Sequence, residues 1–454
     1  MEYGLRDRSK DRPPTAGELA LHNDYSVELG AIRQRRINKK EEISMKSDHV
    51  QEHFNAQIFP MTRFQSKTRG ATYNGGVYDA NGGIIEHAIE RSRGYIHAPD
   101  ASPELVVSET LPGTYLFGGY LPRHFGNFLT QSLGRLWPYE RFQQRISGVI
   151  FIHYSALRRE WNVEAAAVKA EQTIGQPFVQ ETFKLLNIDV PIRIIGPPVR
   201  VERLLIPRQM HMIGGERVIG RPTAFFKFLQ RAVRKHLVSS SEAADRLYVS
   251  KAQFGTGNLI LEENIEANLA EQGYKVIHPE KLSVFEQVGL YAHAERLIFC
   301  EGSAIHMAAM LDGRGKRSAV IYRRSPERPQ FKRQFEWAQY DGITEVRGLR
   351  GLILPTDPSL RSSPRHINNS RALLDFQVVA ETLAQAGFCD AARWKMPNRQ
   401  EVAEAVRQSI DDLEAKYPGI KFGLFDAHIP RSGNGAAGRR PGRTAWRSRG
   451  GGSP

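Results

Sequence analysis

Arg246-Leu247-Tyr248-Val249-Ser250-Lys251 opens the stretch that decides the fold, and Leu297-Ile298-Phe299-Cys300-Glu301-Gly302-Ser303-Ala304 is its centre. From Arg246 to Tyr322, short apolar runs alternate with segments of helical period. Arg246–Ser250, Tyr274–Ile277, Leu297–Cys300 and Ala319–Tyr322 read as strands. Between the first two, Leu261–Gln272 carries Leu261, Ile265 and Leu269 four apart, which is one helix face. Gly273 suits the position past that helix, where the left-handed backbone is easiest for glycine. Ser283, with Glu286 three residues on, has the capping-box pattern for a helix through Val284, Val288 and Tyr291. Ser303–Leu311 reads as a third helix. Leu297–Cys300 has no polar alternation, so burial on both faces is expected. This alternation predicts an α/β fold, a parallel sheet covered by helices. Such sheets bind ligands at the carboxyl ends of their strands.

Gly302, Ser303 and Ala304 follow a strand and are small, so backbone and ligand can approach closely. The first amides of the next helix lack intrahelical partners and favour an anion, which points to a phosphate or diphosphate. A tight strand-to-helix turn without a ligand accounts for the same residues. Neither GxGxxG nor GxxxxGK[ST] occurs at this turn. Lys251 ends a strand at the same edge, where a cation neutralises phosphate charge without a metal; a solvated surface lysine is the plainer alternative. Glu301 would repel a phosphate, which assigns it to a ribose hydroxyl or to the acceptor.

These residues resemble glycosyltransferase family 61. The resemblance runs through Tyr248-Val249-Ser250-Lys251, Gly273-Tyr274-Lys275-Val276, Pro279-Glu280, Leu282-Ser283, Glu286-Gln287, Ala294, Leu297-Ile298 and Gly302-Ser303-Ala304. Upstream it includes His124-Phe125-Gly126-Asn127-Phe128, leading into Arg135-Leu136-Trp137. It covers roughly Tyr120 to Tyr322. Lys251 stands where an Arg is commoner, Glu301 where a His is usual, and Gln131 where an Asp often precedes the Arg-Leu-Trp. The resemblance implies a GT-B fold of two Rossmann-like domains facing a cleft, and an inverting, metal-independent transferase acting in polysaccharide biosynthesis. It implies a nucleotide-sugar donor on the C-terminal half, bound by Ser250, Lys251, Gly302, Ser303, Ala304 and His306, and no cofactor. The acceptor it implies is a glycan or lipid-linked saccharide. No Asp-x-Asp precedes the sheet, and the histidines lack HExxH spacing.

The formal net charge is +14 with a pI near 9.7, so an anionic partner is expected. Arg431, Arg439, Arg440, Arg443, Arg447 and Arg449 concentrate charge in an Arg/Gly-rich tail with no acid after Asp426, suited to peripheral contact with an anionic membrane. Cys300 and Cys389 give no disulfide framework, which fits a reducing cytoplasm. The charged N-terminus lacks an apolar segment of signal-peptide type, and no apolar run reaches spanning length. Zinc-finger spacing, an RNP1-like strand and a basic recognition helix are absent, which argues against nucleic acid.

The chain reads as a polar extension over 1–55, an acceptor domain over 56–220, a donor domain over 221–350, a helical region over 351–428 and a tail over 429–454. In the first domain, Phe125, Phe128, Leu129, Leu133, Leu136 and Trp137 form one apolar stripe. Val149–Ile152, Ile192–Ile195 and Leu204–Ile206 read as strands, and Thr223–Leu237 as an amphipathic helix. Arg361–Ser370 reads as loop, and Ala372–Ala386 and Glu401–Leu413 as helices that would pack back on the first domain by analogy with GT-B folds.

Inverting transfer needs a base for the acceptor hydroxyl and charge stabilisation on the leaving diphosphate. His124, heading a helix on the expected cleft side, is the first candidate base; a capping histidine is the alternative. Glu301 is the second. Asn127 would orient substrate, and His306, three residues after Ser303, would face the phosphates unless it faces the core. Two other functions remain open: a nucleic-acid-binding protein, and a non-catalytic family member acting as a scaffold in polysaccharide assembly.

Overall fold

The computed structural model describes residues 49–65, 71–92, 95–97, 106–122, 124–153, 168, 171–210, 222–237, 244–255, 257–324, 330–361 and 364–426. The basic tail and most of the polar extension lie outside the described residues.

β1 (Val50–Gln65) and β2 (Ala71–Tyr78) pair antiparallel, and a small hairpin, β3 (Glu90–Ser92) and β4 (Tyr95–His97), follows. β5 (Glu109–Leu121) leads into helix α1 (Phe125–Gln131). β6 (Gly148–His153), α2 (Pro177–Leu185), β7 (Ile192–Ile195) and β8 (Val199–Pro207) complete a six-stranded sheet of order β2-β1-β8-β5-β6-β7. β5 runs parallel to both β6 and β8, and β6 parallel to β7. β1 begins at Val50, inside the segment expected as a polar extension to residue 55. Its first residues are exposed or half-buried, so their polar composition concealed a strand.

Helix α3 (Thr223–Arg234) buries Phe225, Phe226, Phe228, Leu229, Ala232 and Val233 and turns its basic side chains outward. The second sheet follows: β9 (Arg246–Val249), α4 (Glu262–Ala270), β10 (Lys275–Ile277), α5 (Val284–His293), β11 (Arg296–Cys300), α6 (Ala304–Ala308), β12 (Arg317–Ile321), α7 (Gln330–Trp337) and β13 (Gly342–Val346). Its order is β10-β9-β11-β12-β13, and every neighbouring pair is parallel. The predicted strands and helices of Arg246–Tyr322 are all present; β9, β10, α4 and α6 are shorter than expected, while β11 and β12 begin one and two residues earlier. β13 was not anticipated. It is an edge strand, mostly half-buried, so Gly342-Ile343-Thr344-Glu345-Val346 carries no apolar run.

Residues 349–426 are not purely helical. β14 (Leu349–Pro355), β15 (Ala372–Leu374) and β16 (Phe422–Asp426) form an antiparallel sheet beside helices α8 (Phe376–Gln385) and α9 (Arg399–Lys416). Short helices Pro358–Arg361 and Pro364–Asn369 occupy the expected loop. Ala372-Leu373-Leu374 is a good helix-forming sequence, but pairing with β14 makes it a strand, and the helix starts only after Asp375, whose side chain accepts from the Gln377 and Val378 amides. Leu383, Val379 and Leu413 join Tyr248, Ile298 and Ala319 in one core cluster, so α8 and α9 pack on the second sheet rather than back on the first domain.

Candidate active site

The carboxyl edge of the second sheet is held by a buried carboxylate. Glu262, first residue of α4, accepts from the Tyr248 hydroxyl at 2.8 Å, the Ser250 hydroxyl at 3.2 Å and the Lys251 amide at 2.7 Å. A fourth, longer bond comes from the Leu259 amide at 3.4 Å. Burial raises the Glu262 carboxyl pKa against the pull of these bonds. Leu261, at φ +58°, adopts a left-handed conformation just before it, a strain of about 1–3 kcal/mol that the Glu262 bonds oppose. Ser250 Oγ also accepts from the Ala252 amide at 2.9 Å, so this predicted donor ligand is engaged in holding its own loop.

Lys251 does reach the turn. A Cβ added to Gly302 would lie 2.9 Å from Lys251 Cδ, so the lysine stem lies against the glycine and needs it to be glycine. The ammonium sits 3.7 Å from the Phe254 ring centroid, a cation–π contact. Burial lowers the Lys251 pKa, and nearby Arg323 adds to the effect.

Glu301, the second candidate base, directly follows β11. Its carboxylate is fully buried and accepts from the Arg323 amide at 3.0 Å and from Arg324 Nε and Nη2 at 2.9 and 2.6 Å. Arg324 Nη1 goes on to Asn368 Oδ1 at 3.1 Å, and Arg323 Nε returns to the Glu301 carbonyl at 3.1 Å. These bonds engage both carboxylate oxygens and tie the end of β11 to the residues that follow β12.

The first half of the chain reaches this edge through α1. A Cβ on Gly126 would fall 2.5 Å from Ser303 Oγ and 3.3 Å from His306 Cδ2, so α1 rests directly on the Gly302-Ser303-Ala304 turn and on α6. His124 is the N-cap of α1, and its Nδ1 accepts from the Asn127 amide at 3.4 Å. His306 is buried, its Nδ1 lies 2.9 Å from Gln334 Oε1 and its ring tilts over Phe331 at 5.5 Å. The Gln334 amide thus fixes the orientation of the His306 ring through Nδ1.

The structure therefore gathers Lys251, Gly302, Ser303, Ala304, His306 and the His124–Asn127 turn. The Glu301 carboxylate and the Ser250 hydroxyl bond within the same edge, to Arg323 and Arg324 and to Glu262 and the Ala252 amide. Sequence reasoning missed Glu262, Arg323, Arg324 and Gln334. The Arg-Arg pair directly after the fourth strand was a usable signal for the cations; Gln334 had none. Arg135 and Trp137 of the upstream motif also prove structural. The buried Arg135 guanidinium donates to the carbonyls of His87 (2.9 Å), Ile89 (3.3 Å) and Pro207, and Trp137 Nε1 donates to the Arg208 carbonyl at 3.0 Å. Cys300 is buried and its thiol is pushed up by desolvation, as an inert core residue should be. Among the described residues, no group of three His, Cys, Asp or Glu could hold a metal, and no helix is long and apolar enough to cross a membrane.

A parallel five-stranded sheet with a small-residue turn at its carboxyl edge, touched by a helix from a second α/β layer, is a build that binds ligands at that edge. Residues 125–316 match the family model Glycosyltransferase 61. For this segment the match implies glycosyltransferase activity, with a nucleotide-sugar donor and a glycan acceptor. No curated protein matches the chain. His124, Arg323, Arg324 and Gln334 lie outside the matched residues.

Proposed function

We propose that the chain is an inverting, metal-independent glycosyltransferase of GT-B build, transferring a sugar to a hydroxyl acceptor in polysaccharide biosynthesis. The observation that carries this reading is the contact of Gly126 with Ser303 and His306, which unites the two motif-bearing segments at one sheet edge. The acceptor oxygen attacks the anomeric carbon as the bond from that carbon to the diphosphate oxygen breaks. The acceptor proton passes to a histidine, and the bonding pair leaves on the diphosphate. Lys251 and the amides of Ser303 and Ala304 offset that charge. His306 Nε2 is the proton acceptor, its ring oriented by Gln334. His124, with Nδ1 accepting from its own helix, carries its proton on Nε2 and donates to the substrates. Asn127 orients them. The protein works in the cytoplasm, its basic tail resting on the anionic inner face of the membrane.

Calorimetry and turnover against a panel of nucleotide sugars test this. Binding of at least one nucleoside diphosphate, abolished in Lys251→Ala, is expected. Absence of binding to every member of the panel sinks the transferase reading and favours a scaffold, the second reading, which the occupied Glu301 carboxylate supports. His306→Ala should lower kcat far more than KM, whereas His124→Ala should retain measurable turnover. Because burial lowers its pKa, Lys251 loses its charge at a lower pH than an ordinary lysine; diphosphate binding should fade in the alkaline range, and Lys251→Arg should restore it there.

A further inference from the structure

A concave site on the other side of the second sheet remains after the transferase residues are assigned. It has a volume of about 530 Å³ and is lined by Lys227, Gln230, Arg231, Arg234, Lys235, Asp312 and Arg314. Asp312 and Arg314 precede β12, so the cleft lies at the edge where the parallel strands begin, opposite the Gly302–Ser303 turn.

Five of the lining side chains are cations. Four belong to α3 and its C-terminal end, and Arg314 comes from a separate loop. The dipole of α3 accounts for cations in its last turn, but not for Lys227 in the middle of the helix or for Arg314. Among the described residues, two carboxylates answer this charge. Glu140 is shared by Arg231 at 2.7 Å and Lys235 at 3.6 Å, and Asp312 by Arg314 and, at 3.9 Å, by Arg234. Lys227 has no ion-pair partner among the described residues. Arg231, Arg234, Lys235 and Arg314 are each more than half exposed, so the charge is presented rather than buried. Arginine forks match phosphate oxygens two at a time. The lining holds no aromatic ring to stack a base, which disfavours single-stranded nucleic acid. No apolar side chain projects from it either, so the recognition is electrostatic.

We propose that this cleft is a second anion site, taking a diphosphate group either free or as part of a lipid headgroup. It is separate from the donor site and needs none of its residues. The probe is inorganic diphosphate, titrated by calorimetry at low ionic strength into the full chain, into the K227Q/R231Q/R234Q variant and into Lys251→Ala. Two sites per chain are expected in the wild type. The triple variant should lose one of them, weakened by about tenfold or more, and Lys251→Ala the other. If the triple variant does not fold, Lys235→Gln with Arg314→Gln, both at exposed positions, replaces it. Vesicles of phosphatidylcholine with and without phosphatidic acid separate the two sources: reduced capture of the anionic vesicles by the triple variant assigns the lipid, and unchanged capture with lost diphosphate binding assigns the free ligand. A triple variant that matches the wild type in both titrations overturns the proposal. So does one that loses only duplex DNA binding, which would make the cleft a nucleic-acid contact. Loss of the Lys251 site alone would instead leave the cleft standing and bear on the donor site.

Discussion

Arg135 in the first half and Glu262 in the second are both fully buried charges, and they do opposite kinds of work. Arg135 joins segments far apart in sequence, reaching carbonyls 46, 48 and 72 residues away. Glu262 gathers donors from within 14 residues, all around the end of β9. The cation is a long-range staple of the first sheet to its surroundings. The anion is a local brace under Lys251. A buried, hydrogen-bonded charge thus secures distant segments of a half-domain in one case and the shape of a binding edge in the other.

That contrast is broken most forcefully by Arg135→Ala. It removes a guanidinium that three buried carbonyls depend on and leaves a void beside Phe117, so a loss of about 3–5 kcal/mol is expected in urea unfolding. Glu262→Gln should cost about 1–3 kcal/mol, because the amide offers one oxygen where the Lys251 and Leu259 amides need two. The variants should also differ in function: Glu262→Gln weakens nucleoside diphosphate binding while the protein is still folded, whereas Arg135→Ala loses binding only with the fold. Equal stability loss with intact binding in Glu262→Gln would remove the brace from the argument.

Glu262 also carries a pH signature that Arg135 lacks. Its folded pKa is raised above the ordinary 4.5, so the native state holds the proton more tightly than the unfolded chain does. The associated stabilisation is complete below the unfolded pKa and is lost as pH rises through the folded value. The stability of the wild type relative to Glu262→Gln should therefore increase on acidification from neutral pH to about 4.5, where the other carboxylates cancel between the two proteins. A flat difference across that range would mean the carboxyl is not desolvated.

The backbone of this edge could be read from the sequence, and its side-chain partners could not. Leu297–Cys300, the Ser283–Glu286 cap and the Gly302–Ala304 turn follow from local apolar period, capping chemistry and small-residue spacing. Glu301 and Ser250 look like site residues for the same local reason, since they end strands. Their real partners, Arg324 and Glu262, lie 23 and 12 residues away, and pairing at such distances is decided by the packing of the sheet. Ala372–Leu374 failed likewise, because β14 imposes a strand on a helix-forming sequence.

The seam between the halves is tested by a smaller change. Gly126→Ala sets a methyl against Ser303 Oγ, a terminal atom that can rotate or yield, so about 1–2 kcal/mol is expected. Turnover should fall further than stability, because the shift is taken up by Ser303 and His306. Ser303→Gly in the same chain removes the clashing oxygen and should restore stability, a coupling that additive effects would not give. Recovery of stability without any recovery of turnover would assign the Ser303 hydroxyl itself to substrate.

Ser283→Ala is the smallest expected effect and the control for all of these. The Ser283 hydroxyl accepts from the Glu286 amide at 3.2 Å, and the Glu286 carboxylate accepts from the Ser283 amide at 2.7 Å, at an exposed helix start. Losing the hydroxyl leaves one amide to water, at a cost of about 1 kcal/mol. Ser283 heads α5, the helix that precedes β11, and its hydrogen bonds run to Glu286 rather than to Lys251, Glu262 or the turn. Nucleoside diphosphate affinity should therefore stay at the wild-type value. If it falls in step with stability, the binding edge responds to any loosening of the second sheet, and the weakened binding of Glu262→Gln would no longer identify a brace.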